Sequence, residues 1–152
     1  MTEKLNVLFL CTGNSCRSQM AEGWANELKN NRINAFSAGI ETHGLNPNAV
    51  KVMSEVGLDI SKNQSKLVKD LGDVAWDLVI TLCGHANETC PYFSGPCKVV
   101  HVGFDDPPKM AEKLAAQGES IERQLDCYRK VRDEIKAFVE KLPENILGDQ
   151  ND

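Results

Sequence analysis

The chain has 152 residues, 17 Lys+Arg against 22 Asp+Glu for a formal net charge of −5, 41% hydrophobic residues and 6% aromatic ones. That length fits one domain over residues 1–152 with one hydrophobic core, and the ordinary apolar and charged fractions exclude a disordered or fibrous chain. The acidic balance, with no Lys/Arg run, excludes a partner gripped through a phosphate backbone, so no nucleic acid is expected.

Residues 4–10 read as a strand whose apolar stretch, Val7 to Leu10, is too short to cross a bilayer and is followed by no cleavage site. No membrane partner is expected, and the expected location is cytoplasmic. The strand stops at the turn-rich Cys11-Thr12-Gly13-Asn14-Ser15, and after Arg17 the residues Met20, Ala21, Trp24, Ala25 and Leu28 keep helical spacing to about Asn30. Residues 34–38 predict a second strand closed by Gly39. Pro47 then starts a helix carrying Val50, Met53 and Val56 before Gly57 stops it, and residues 65–71 predict a shorter helix.

Residues 76–82 are a near-continuous apolar run, the pattern of a parallel strand covered on both faces, and it ends at Cys83. Residues 84–97 show no period and read as a loop. Residues 98–102 predict the fourth strand, with 103–108 as the loop at its end. Met110, Leu114 and Ala115 suggest an extra short helix. A long final helix follows, its stripe of Ile121, Leu125, Tyr128, Val131, Ile135, Phe138, Val139 and Leu142 ending at Pro143, and the last ten residues read as frayed.

Strands alternating with helices predict an α/β fold, a four-stranded parallel sheet with helices on both faces in a flavodoxin-like winding. Ligands of such sheets bind at the carboxyl ends of the strands. Those ends carry residues 11–17, Cys83, and the pair Asp105 and Asp106.

Cys11 and Arg17 stand six positions apart between a strand and a helix. So short a loop wraps a tetrahedral oxyanion only by turning successive N–H groups of Thr12, Gly13, Asn14, Ser15 and Cys16 inward, with the helix start adding partial positive charge. Arg17 would grip two oxygens in its planar fork. Cys11, at the bottom of such a cradle, is aimed at the central atom of the anion as a nucleophilic thiolate. The spacing alone is common; the strand before it and the amphipathic helix after it are the context the chemistry requires. The bland alternative is a buried strand-end cysteine with Arg17 in a surface ion pair. Asn14, Ser15 and Ser18 could hold the loop and the thiolate by hydrogen bonds, and Ser18 could equally be only an N-cap.

The run from Cys11 to Trp24, Cys-Thr-Gly-Asn-Ser-Cys-Arg-Ser-Gln-Met-Ala-Glu-Gly-Trp, resembles the signature of the low-molecular-weight protein tyrosine phosphatase family, and more closely its thioredoxin-coupled arsenate reductase branch. Residues 37–44, 79–83, 103–107 and 131–136 look like the same family, so the resemblance covers nearly the whole chain. It implies a three-thiol relay: Cys11 attacks arsenate, Cys83 attacks the sulfur of Cys11 and releases arsenite, and Cys90 attacks Cys83. Reduced thioredoxin would regenerate the enzyme by thiol exchange. It further implies an acid immediately before Pro107, so Asp106 is the expected proton donor to the departing oxygen, with Asp105 as the fallback and a turn-capping carboxylate as the bland alternative.

Arsenate and thioredoxin are thus the expected partners of a monomer, with no tightly bound cofactor and no metal site. A zinc set drawn from Cys83, Cys90, Cys97, His85 and His101 lacks the tight ligand spacing of structural zinc sites. Cys16 reads as packing or steric, and Cys97 and Cys127 have no assigned role. Some relatives in the arsenate reductase branch bind potassium with residues that align with Asn14, Glu22 and Ser37 plus an aspartate. Here Lys66 stands at the aspartate position, which predicts a Lys66–Glu22 pair in place of the ion. The rival activity is a phosphotyrosine phosphatase. Phosphatases of this fold usually follow the acid-proline pair with tyrosine, and here Pro108 stands there.

Overall fold

The central strand β1 (Leu5–Cys11) is paired in parallel along both edges, which explains why Val7 to Cys11 are all buried. One neighbour is β2 (Ile33–Gly39), in register from Leu5 opposite Ile33 to Cys11 opposite Gly39. The other is β3 (Leu78–Thr81), whose outer neighbour is β4 (Lys98–His101). The four-stranded order is β2-β1-β3-β4, all parallel, as the alternation of elements predicts. The computed structural model describes residues 4–82 and 97–147; Cys83, His85 and Cys90 lie outside the described residues.

The α-helices are α1 (Arg17–Leu28), α2 (Pro47–Ser54), α3 (Pro107–Ala116), α4 (Ile121–Glu140) and α5 (Glu144–Leu147). Because alternate strand residues face opposite ways, Val7, Phe9, Leu78 and Ile80 pack with Met20 and Trp24 of α1, Met53 of α2 and Leu125, Val131 and Ile135 of α4. Leu8, Leu10 and Val79 face the other side. There the cover is a 3₁₀ helix (Val68–Leu71) together with Phe36, Trp76 and Cys97, so the two faces are covered by helices of unequal size.

α2 starts where Pro47 predicts it: Asn46 accepts from the backbone N–H groups of Asn48 and Ala49 at 2.8 and 3.3 Å. It ends at Ser54, short of Val56, which is left exposed as the chain turns at Gly57 with φ +83°. The helix expected over 65–71 is corrected. Leu67 forms a β-bridge with Gly39, and this sheet-edge pairing leaves only the single 3₁₀ turn after it. The last ten residues are not all frayed either, since α5 forms there and Glu144 pairs with Arg32. Among the described residues no helix is long and apolar enough to cross a membrane.

Candidate active site

An anion cradle needs backbone N–H groups turned inward, and the loop between β1 and α1 meets that need by tying its carbonyls outward. Thr12 O accepts from the N–H groups of Ile40 and Glu41 at 3.1 and 3.0 Å, and Gly13 O accepts from His43 N at 3.0 Å and Ser65 Oγ at 2.9 Å. Asn14 O accepts from Gln19 Nε2, Ser15 O from Asn46 N, and Cys16 O from Met20 N. Successive carbonyls with partners behind the loop leave the opposite side to the N–H groups. The approach is close: a Cβ at Gly39 would lie 2.7 to 2.8 Å from Glu41 O, Asn14 N and Thr12 O, so β2 must end in glycine there.

Asn14 is the keystone. It holds a left-handed backbone, φ +47°, and is fully buried. Its Oδ1 accepts from Lys66 N at 2.8 Å and from Gln19 Nε2 at 3.1 Å, which fixes the amide orientation, and its Nδ2 donates to Ser18 Oγ at 2.8 Å. Ser18 Oγ lies 2.9 Å from Cys11 Sγ. A Cys11 thiolate can only accept, so to that form the Ser18 hydroxyl donates while its oxygen accepts from Asn14. Ser18 is the second residue of α1 and not its N-cap, which is Cys16. The capping alternative therefore falls.

Arg17 opens α1 and is 4% exposed, not a surface residue. Its Nη1 donates to Leu82 O at 3.3 Å and to Phe104 O at 3.0 Å, binding the ends of β3 and of the chain after β4 to the cradle. Its Nη2 stands 3.9 Å from Asp106 Oδ1. Asp106 occupies the N-cap position of α3 without using its side chain as a cap, and it lines the cavity over Cys11. Asp105 instead faces Lys130 on the surface at 4.0 Å. Of the two aspartates, only Asp106 reaches the site.

A cavity of about 440 Å³ opens over these groups, lined by Cys11, Thr12, Gly13, Ser15, Cys16, Arg17 and Asp106, with His43, Asn46, Pro108 and Lys109 at its sides. Cys16 shares the cavity with Cys11. Burial pushes its thiol well up, Cys11 and Asp106 add to the effect and Arg17 opposes it, so Cys16 stays a neutral thiol. Cys127 on α4 is likewise pushed up by burial, and neither it nor Cys97 lines the cavity. Among the described residues no three His, Cys, Asp or Glu side chains gather as a metal set. Lys66 Nζ lies 3.8 Å from Glu22 Oε1 and donates to Gln64 O at 3.1 Å. An ammonium therefore faces the glutamate that the resemblance aligns with a potassium ligand, as the sequence predicts for this pair. Ser37, the third aligned residue, is buried with Oγ unpartnered.

His43, Asn46, Gln19 and Lys109 were not singled out by sequence reasoning. His43, Asn46 and Lys109 stand far from Cys11 in the chain, where no spacing rule connects them to it, and Gln19, though near, acts through Asn14 and does not line the cavity.

The fold and site define a class: an α/β enzyme with a buried cysteine and a buried arginine at the two ends of the loop that follows its central strand, both lining one cavity. Comparison with known proteins is specific about the family. The sequence profile described as "Low molecular weight phosphotyrosine protein phosphatase" matches residues 6–151. The chain is 52% identical over 139 residues to an arsenate reductase of Bacillus subtilis, covering 91% of this chain and 94% of that one, and 48% identical over 145 residues to arsenate reductase 1 of Bacillus cereus, covering 95% and 98%. A solved structure described as an arsenate reductase in the phosphate binding state superposes with a TM-score of 0.70 at 33% identity, covering 93% of this chain and 98% of that one. The chain belongs to the low-molecular-weight phosphotyrosine protein phosphatase family, on the arsenate reductase side of it.

Proposed function

We propose that the chain reduces arsenate to arsenite through Cys11, Cys83 and Cys90 and is regenerated by reduced thioredoxin. The observation that carries the first step is the chain of contacts from Asn14 Nδ2 through Ser18 Oγ to Cys11 Sγ, at 2.8 and 2.9 Å, beneath a loop whose carbonyls are tied outward. Arsenate seated on the N–H groups and Arg17 presents arsenic to the Cys11 thiolate. The As–S bond forms as an oxygen leaves, and Asp106 supplies the proton that makes it water.

Cys83 thiolate then attacks Cys11 Sγ. An S–S bond forms, and the As–S electron pair stays on arsenic, which leaves as As(III). Cys90 attacks Cys83, frees the Cys11 thiolate and leaves a Cys83–Cys90 disulfide, which the dithiol of thioredoxin reduces by exchange. Neutral Cys16 does not compete, because only a thiolate is a good nucleophile. Slow phosphomonoester hydrolysis is the expected side activity, since cradle and acid serve a phosphoryl group equally well.

The test is arsenate reduction followed through NADPH consumption with thioredoxin and thioredoxin reductase, for the wild type and Cys83→Ser. The reading expects steady turnover in the wild type and loss of turnover in the variant. Full turnover in Cys83→Ser removes the relay; rapid aryl-phosphate hydrolysis without arsenate reduction selects the phosphatase.

A further inference from the structure

We infer that His43 and Lys109 determine which anion the cavity accepts, an exposed ammonium and a polar ring whose place on the described lining favours a compact inorganic oxyanion over an aryl monoester. This deepens the reading above and rests on it for the identity of the substrate. The two side chains come from segments with no local connection, the turn after β2 and the first turn of α3, and both line the cavity whose floor is Cys11 and Arg17.

His43 is about half exposed, yet it is held in place. Its N–H donates to Gly13 O at 3.0 Å, and its Nε2 lies 2.6 Å from Glu41 Oε2. Its ring rests on the cradle itself: a Cβ at Gly13 would lie 2.3 Å from His43 Nδ1 and 2.6 Å from its Cγ. Glycine at position 13 therefore serves this contact, and the ring cannot approach the loop so closely over any other residue. The Glu41 carboxylate takes Nε2 as its donor and leaves Nδ1 on the cradle side. Lys109 follows Pro107 and Pro108, which fix the start of α3, and among the described residues its ammonium makes no ion pair.

A protein of net charge −5 repels a dianion at long range. Capture therefore depends on local cations at the mouth of a cleft, where focused fields raise association about 10- to 10³-fold. Arg17 lies at the floor and is engaged with two carbonyls. The exposed Lys109 ammonium is the cation an approaching anion meets first, with the His43 ring across the cavity from it. An aryl monoester needs something more, an aromatic or broad apolar wall for its ring, and the lining contains no Phe, Tyr or Trp among the described residues.

The experiment compares wild type, Lys109→Glu, Lys109→Arg and His43→Tyr, whose hydroxyl keeps a partner for Glu41. Three readouts are taken: KM and kcat for arsenate in the thioredoxin-coupled assay, kcat/KM for p-nitrophenyl phosphate, and the Kd of inorganic phosphate for the reduced protein by calorimetry. Lys109→Glu is expected to raise the arsenate KM and the phosphate Kd about tenfold with kcat nearly unmoved, the loss shrinking as salt rises, and Lys109→Arg to restore both. His43→Tyr is expected to raise kcat/KM for p-nitrophenyl phosphate about fivefold, the size of one aromatic contact, while lowering it for arsenate. The inference is overturned if the phosphate Kd of Lys109→Glu and the arsenate-to-aryl preference of His43→Tyr both stay within about twofold of wild type. The phosphate Kd needs no turnover. A wild type that binds phosphate but reduces no arsenate would overturn the proposed function alone, and the charge dependence of that Kd would still decide the mouth.

Discussion

Two polar networks in this molecule are built from similar groups and do opposite things. Behind the cradle, Asn14, Ser18 and Gln19 are fully buried; Gln19 and Lys66 fix the Asn14 amide, the amide donates to Ser18 Oγ, and Ser18 Oγ lies against Cys11 Sγ. Between α2 and α4, Arg129 and Arg132 clamp Glu55, with Arg129 reaching Glu122 and Asp126 as well. Arg132 is buried and also donates to Val52 O, but Glu55 is 33% exposed and Glu122 72%, so water can replace most of what the carboxylates supply. The difference teaches that burial, more than the number of contacts, decides whether a polar network sets chemistry or merely ties two helices together. In the first, an unmade bond leaves a dry polar atom; in the second, it leaves a wet one.

Removing the end point of the buried network has the largest effect. Cys11→Ser is expected to lower arsenate reduction at least about 10³-fold, while phosphate binding by calorimetry stays near wild type because the N–H groups and Arg17 remain. Loss of binding as well would mean that the cradle is not built independently of its thiol. One step back, Ser18→Ala removes a hydrogen bond to a charged sulfur worth about 1.5–3 kcal/mol, so kcat/KM for arsenate should fall about 10- to 100-fold. An unchanged rate would show that the Ser18 hydroxyl does not support the Cys11 thiolate.

The next substitution separates backbone from side chain at the keystone. Asn14→Gly relieves the left-handed φ but takes its bond from Lys66 N and one bond each from Ser18 Oγ and Gln19 Nε2, for an expected loss of about 2–3 kcal/mol in urea unfolding. Asn14→Ala adds roughly 1 kcal/mol more through backbone strain. Equal losses in the two variants would place the cost in the side chain alone.

The smallest effect belongs to the exposed network. Glu55→Gln should cost no more than about 1 kcal/mol at neutral pH and leave arsenate turnover unchanged. Hydrogen bonds from Arg129 hold the Glu55 carboxyl below its ordinary range. A lowered folded-state value makes this stabilisation fully present above the unfolded value of about 4.3 and lost as pH falls through the folded one, so wild type and variant should converge in stability toward pH 3. A gap that persists in acid would show that packing, and not charge, joins α2 to α4 here.

Local pattern determined much of this protein. The apolar run of β1, the turn-rich break after it and the periodicity of α1 and α4 fix strand, loop and helix. They place Cys11 and Arg17 at a strand end because periodicity is a short-range property of the chain. The helix expected over 65–71 failed for the complementary reason, since Leu67 is claimed by Gly39, a partner 28 positions away. Tertiary structure alone decided the rest of the site. It turned Asp106 to the cavity and Asp105 to Lys130, tied Arg17 to Leu82 and Phe104, and gave Ser18 to Cys11 instead of the helix end. It also laid His43 on Gly13 and closed Asn14 with the N–H of Lys66. Most of these contacts join residues tens of positions apart, and even the two nearby choices, at Asp106 and Ser18, depend on what the rest of the fold packs beside them. A direction in space, which no local spacing encodes, settles each of them.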